Sequence, residues 1–180
     1  METRNIVFIA KSLDGYIAGP QGELDWLNSV PNPNQEDVGL HPLMERIDGL
    51  IMGRNTFTMV CNMGGEWPYS KPVFVLSNTL TEVPEEFEDK AIIVNGPLHE
   101  LVDDLHAEGF HKLYIDGGIT VQNFLKEDLI DEMIISTIPI LLGGGIPLFG
   151  NLPKPMMFDH VESKVLLNQI TQDTYFRNRS

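Results

Sequence analysis

One cysteine, Cys61, in 180 residues excludes an internal disulfide and points to a reducing compartment. Basic residues are also scarce, with 12 Lys and Arg against 26 Asp and Glu and a net charge of −14. A chain so acidic lacks the cationic footprint that nucleic acid or an anionic membrane needs, so neither is an expected partner. A small anion could still be held by a few placed cations and backbone amides. No apolar run approaches the roughly 18 residues of a membrane-spanning helix. Met1-Glu2-Thr3-Arg4 leads straight into a strand-like stretch, without the charged start and apolar core of a secretory signal. The expected location is cytoplasmic.

Several catalytic signatures are missing as well. Gly143-Gly144-Gly145 lacks the lysine and following helix of a phosphate-binding Walker loop, so its glycines are read as shaping a loop. There is no Gly-x-Ser-x-Gly elbow, and Cys61 has no histidine near it in sequence. His41, His99, His106, His111 and His160 show no zinc-ligand spacing; no metal is expected, and His99 and His106 read as solvated residues of one helix. Trp26 and Trp67 read as packing residues.

What is present describes one globular α/β domain, residues 1–180, with 42% hydrophobic residues and no repeat or linker. Short β-branched runs at 5–10, 49–53, 72–76, 91–94 and 113–115 read as buried strands. Leu98, Leu101, Val102 and Leu105 form one helical face that Gly109 ends, and Ile119–Lys126 reads as another helix. A short helix is expected from about Glu36 to Arg46, weakened by Gly39 and Pro42. Another strand is expected over Met133–Leu142, interrupted near Pro139. Residues 161–170 and 174–176 read as an antiparallel hairpin turning near Thr171-Gln172-Asp173.

Three strands end at polar or glycine-rich turns: Gly53-Arg54, Ser77-Asn78 and Asp116-Gly117-Gly118. In an open α/β sheet, ligands bind beyond the carboxyl ends of strands, so these turns can converge on one elongated ligand. Arg54 at a helix start would seat a phosphate; the alternative is an ordinary solvated arginine. Taken alone, Asp116-Gly117-Gly118 is equally a tight strand-to-helix turn with no ligand.

Met52-Gly53-Arg54-Asn55-Thr56-Phe57, Val75-Leu76-Ser77-Asn78 and Ile115-Asp116-Gly117-Gly118, in this order, resemble the corresponding segments of the dihydrofolate reductase fold. Ser12-Leu13-Asp14-Gly15-Tyr16-Ile17-Ala18 and the Leu141–Phe149 stretch are similar to the reductase domain of bacterial riboflavin biosynthesis, which shares that fold. The zinc deaminase half that often accompanies that domain has no counterpart here, since no Pro-Cys-x-x-Cys occurs. The resemblance implies a three-layer α/β/α domain with a mostly parallel central sheet and a C-terminal antiparallel hairpin. It also implies NADPH-dependent hydride transfer to a small pterin- or pyrimidine-like heterocycle, and a homodimer through the C-terminal strands.

By that resemblance Gly53, Arg54, Asn55 and Thr56 hold the cofactor's pyrophosphate and 2′-phosphate. Leu76, Ser77 and Asn78 take the adenosine end, and Asp116, Gly117, Gly118, Ile119 and Thr120 wrap the pyrophosphate and nicotinamide. Ala10, Ile17 and Ala18 lie beside the nicotinamide ring. Counting back from Met52 at the folate enzymes' spacing makes Asp37 the catalytic proton donor, with Glu36 and Asp25 as alternatives. The residue-level alternative for Asp37 is an acid at a helix start.

The departures concern the substrate. No Lys or Arg occurs between Arg54 and Lys71, where the folate enzymes keep an arginine for the substrate's carboxylate. Lys11 is the only obvious cation for a substrate phosphate, and Val121 stands where a tyrosine is common. Preference for NADPH over NADH rests mainly on Arg54. The readings carried forward are a reductase acting on a small, uncharged heterocycle, a non-catalytic dinucleotide-binding protein of the same fold, and a true dihydrofolate reductase. A purely structural α/β domain is the remaining alternative.

Overall fold

A computed structural model describes all residues, 1–180. The most apolar strands lie inside an eight-stranded sheet, where both of their faces are covered. The strands are β1 (Arg4–Ser12), β3 (Gly49–Gly53), β4 (Val73–Leu76), β5 (Ala91–Val94), β6 (Lys112–Asp116), β7 (Glu132–Ile138), β9 (Met157–Leu166) and β10 (Ile170–Asn178). Their order is β5-β4-β3-β6-β1-β7-β10-β9. The six from β5 to β7 run parallel, and β10 and β9 add antiparallel at one edge. A separate ribbon pairs β2 (Tyr16–Ala18) with β8 (Ile146–Pro147).

The helices are α1 (Leu40–Arg46), α2 (Arg54–Asn62), α3 (Leu98–Ala107) and α4 (Gly118–Lys126). Leu98, Leu101, Val102 and Leu105 of α3, with Val121, Phe124 and Leu125 of α4, cover one sheet face. Leu43 and Met44 of α1 and Phe57 of α2 cover the other, against Ile6, Leu50 and Met52. The result is a three-layer α/β/α domain, as the resemblance implied. Glu132, 1% exposed, pins the start of β7 to β1 and α1 by accepting from Arg4 at 3.1 Å and from Arg46 at 2.9 and 2.7 Å.

Three expectations are corrected. The first helix begins at Leu40, not Glu36, because Gly39 at φ 110° reverses the chain just before it. Its Cβ position faces Phe8 at 3.1 Å and the Gln172 side chain, so the approach needs a glycine. β7 stops at Ile138, where Pro139 cannot continue the ladder. The hairpin reverses at Leu167 and Asn168, at φ 51° and 58°, with Gln169 N–H donating to Leu166 O at 3.0 Å. Thr171, Gln172 and Asp173 instead pair within β10. Asn favours that backbone region but Leu does not, so the turn had only half a signal.

Candidate active site

The carboxyl ends of β3, β4, β5, β6 and β1 open on a cleft of about 1320 Å³. That exceeds the roughly 300–1,000 Å³ typical of a single small-molecule pocket. It has room for an extended ligand and a second, smaller one.

Two adjacent strand-to-helix turns form its centre and repeat one pattern: Gly53-Arg54-Asn55-Thr56 and Gly117-Gly118-Ile119-Thr120. The two interlock reciprocally. A Cβ on Gly53 would lie 2.8 Å from Thr120 Oγ1, and one on Gly117, at φ 99°, would lie 2.7 Å from Thr56 Oγ1. Each turn thus needs its own glycine to admit the other's threonine. Neither α2 nor α4 has a side-chain cap at its N-terminus, so the free N–H groups and positive dipole ends face the cleft from neighbouring strands. Exposed Arg54 reaches across to β4's loop, its Nη1 donating to Thr79 Oγ1 at 3.2 Å. Ser77 Oγ orders that loop by accepting from Thr79 N and Leu80 N at 3.2 and 3.0 Å. Gly96, Pro97 and Leu98, entering α3, complete this end with Lys126. Paired helix N-termini with a nearby arginine suit a polyphosphate.

Asp116 stands where β6 meets this turn, surrounded by protein but open to the cleft. Burial pushes its carboxyl up to about 6, although Gly117 N–H donates to Oδ1 at 2.9 Å and the Tyr114 hydroxyl lies beside it. Tyr114 and Asp116 share one strand face by period two. Tyr114 Oη donates to Phe8 O at 3.1 Å. Burial also pushes the Tyr69 and Tyr114 phenols well above their usual range, with the Asp116 charge adding to it. Both remain neutral donors, leaving Asp116 as the group here that changes protonation near neutrality.

The far end lies over β1 and is apolar. Phe8 and Ala10 floor it, while Leu24, Leu27, Leu40, Met59 and Met63 wall it. The β2–β8 ribbon overhangs the middle: Ile17 and Ile146 meet above Gly118, whose Cβ would lie 2.6 Å from Ile17 Cδ1. Asp14 fastens this flap. Its carboxylate accepts from Ser12 Oγ at 2.6 Å, Leu142 N at 3.1 Å and Gly143 N at 2.8 Å, which hold it near pKa 2. Gly145 passes so close to Ala18 O that a Cβ has no room there.

Every residue assigned to the cofactor by resemblance lines this one cleft: Ala10, Ile17, Ala18, Gly53, Arg54, Asn55, Thr56, Leu76, Ser77, Asn78, Asp116, Gly117, Gly118, Ile119 and Thr120. The proton-donor candidates do not join them. Asp37 is exposed outside the cleft lining, its oxygens accepting from Gly39 N and His41 N, each at 3.2 Å. It serves the start of α1. Glu36 and Asp25 are likewise exposed and outside the lining, as is half-buried Lys11. His106 is half-buried, not solvated, and loss of solvent lowers its pKa. Trp26 and Trp67 pack as expected, Trp67 among Phe57, Tyr69 and Phe87. Sequence reasoning missed Tyr69, Met59 and Met63; Tyr114 was readable as the same-face neighbour of Asp116.

The groups on these walls fit a nicotinamide dinucleotide, whose phosphates would be held by the α2 and α4 N-termini and Arg54. Comparison with known proteins gives the same direction. The chain is 35% identical over 155 residues to the uncharacterised protein YwjB of Bacillus subtilis, covering 84% of this chain and 86% of that one. It is 25% identical over 176 residues to the 2,5-diamino-6-ribosylamino-4(3H)-pyrimidinone 5′-phosphate reductase of Methanothermobacter thermautotrophicus, covering 77% and 79%. A crystal structure from Shewanella sp. PV-4, described as a candidate riboflavin biosynthesis protein, superposes with TM-score 0.96 at 62% identity over 98% and 99% of the chains. Dihydrofolate reductase of Enterococcus faecalis shares the fold, with TM-score 0.64 at 19% identity over 97% and 96%. The family model of the RibD C-terminal domain matches residues 5–172. The cleft beyond the parallel strands and that match together place this chain in the RibD C-terminal domain family.

Proposed function

We propose that this protein is an NADPH-dependent reductase that reduces a small heterocyclic substrate in the manner of the riboflavin-biosynthesis reductases. The observation that carries the reading is the interlocked pair of uncapped helix N-termini, with Arg54 beside them, opening on a cleft large enough for two ligands. When bound, the dinucleotide supplies a hydride. The protein has to hold the phosphates, exclude water from the ring end and deliver one proton. Gly53–Thr56 and Gly117–Thr120 present N–H groups, Arg54 adds fixed charge for a 2′-phosphate, and the Ile17–Ile146 flap shields the ring end.

Reduction of a C=N or C=O bond needs a proton at the heteroatom as well as hydride at carbon. Asp116 is the acid in this reading. A carboxyl with pKa about 6 is roughly one-tenth protonated at pH 7 and readily reloads from solvent, and it lines the cleft. Asp37, away from the cleft, is not needed. The C-terminal hairpin would supply a homodimer contact, since β9 is an edge strand with Met157, Val161 and Val165 exposed. Light scattering giving a monomer at micromolar concentration would remove that part.

Calorimetric titration of NADPH and NADH into the wild type and Arg54→Ala tests the central reading. The expected result is NADPH binding that weakens about tenfold or more in the variant, with NADH little affected. Binding of neither nucleotide would overturn it. A protein that binds NADPH but never oxidises it across a broad panel of heterocycles would be a non-catalytic dinucleotide-binding protein.

A further inference from the structure

We infer that the substrate is a neutral ring compound, free of phosphate and carboxylate, which presents a proton-accepting atom to Asp116. This rests on the reductase reading and deepens it. The whole cleft is lined by two cations, Arg54 and Lys126, and both belong to the β4–β5 end. None of the cleft-lining residues over β1 is Lys, Arg or His, and Lys11 of β1 is half-buried outside the lining. The helix that starts at this end, α1, already has N–H groups at its start engaged, since Asp37 accepts from Gly39 N and His41 N, each at 3.2 Å.

Backbone amides could in principle form an anion nest in the Gly19–Gly22 turn at the rim. They are already committed. Gly19 N–H donates to Glu23 O at 2.9 Å, Gly22 N–H to Gly19 O at 3.0 Å, and Gln21 N–H to Glu23 Oε2 at 2.9 Å. The turn therefore holds a carboxylate of its own. An anionic substituent would meet apolar walls and the carboxyl of Asp116.

Placing an unpaired anion there costs several kcal/mol by general estimates of burying charge. A neutral ring instead gains from Met59 and Met63, 40% and 71% exposed, and from Leu40, 37% exposed, all of which it would cover. The proton balance is the same as above: hydride from the reduced dinucleotide goes to the substrate carbon, and the Asp116 proton goes to its nitrogen or oxygen. Bulk solvent then reprotonates the carboxylate. The archaeal relative's substrate carries a 5′-phosphate by name. This chain has the same reductase scaffold with no place for that group.

The test is amide NMR on the full chain. NADP⁺ is added first; shifts at Gly53–Thr56 and Gly117–Thr120 report the cofactor, and their absence would sink the reductase reading alone. Inorganic phosphate is then titrated, followed by 2,5-diamino-6-ribosylamino-4(3H)-pyrimidinone 5′-phosphate and its phosphate-free riboside in separate samples. The expected result is no saturable phosphate response at Leu24, Leu27, Met59, Met63 or Tyr69, and a riboside that binds at least tenfold more tightly than its phosphorylated form. Saturable phosphate shifts at those residues, or equal or tighter binding of the phosphorylated compound, would overturn the inference.

Discussion

The two ends of the cleft are made of different material. The β3–β5 end is backbone: strand ends, uncapped helix starts and the glycines that let two turns interlock. The end over β1 is side chain, contributed by a loop, the first residue of α1 and one flank of α2. A site made of backbone depends on a few positions where no side chain fits. One made of apolar side chains tolerates exchange, and this difference lets one scaffold keep a cofactor while changing what it reduces.

The sharpest way to break the backbone end is Gly117→Ala. The new Cβ would combine a strained φ of 99° with an overlap at Thr56. A loss of about 3 kcal/mol in denaturant unfolding is expected, together with loss of dinucleotide binding. Unchanged stability would show that the two turns are not interlocked.

Asp116 divides the two ends, and Asp116→Asn tests its burial. An unfolded Asp ionises near 3.8, whereas the folded carboxyl holds its proton to about 6. Between these values the folded state binds more protons, so wild-type stability falls as pH rises and the loss is complete above the folded pKa. Asn lacks this penalty. The variant should match the wild type near pH 4 and exceed it by about 2–3 kcal/mol above pH 6.5, while losing reductase turnover. Equal pH profiles in urea unfolding would refute the raised pKa.

Asp14→Ala loosens the flap without touching either end. Amide exchange at Leu142 and Gly143 should quicken, and NADPH affinity should fall a few-fold, with little change in unfolding midpoint. Exchange that stays slow would mean the ribbon holds itself. The smallest effect is expected from Asp37→Asn: about 1 kcal/mol or less, from a weakened helix start, with turnover intact. Lost turnover at unchanged stability would return Asp37 to the proton-donor role.

How much was readable follows the same division. The parallel strands were legible because most of them bury both faces and so appear as short apolar runs, and all the residues assigned to the dinucleotide do line one cleft. Gly53 and Gly117 could be read as turns, but not as partners, because their pairing depends on β3 lying next to β6. Asp37 is a proton-donor candidate only through the folate enzymes' spacing along the chain. A reversal at Gly39 then moved it from the helix body to the loop before α1, where its carboxylate faces backbone N–H groups.

Sequence by itself therefore determined the α/β alternation, the amide-rich turns and the shortage of cations, because local periodicity, glycine and charge are properties of short stretches. Only the tertiary structure decided that Asp116 would be buried to a raised pKa beside Tyr69 and Tyr114. It also decided that residues as distant as Leu24 and Met63 would wall one pocket. Burial and proximity are set by which strands become neighbours, and that order, β5-β4-β3-β6-β1-β7-β10-β9, is written in no single segment of the chain.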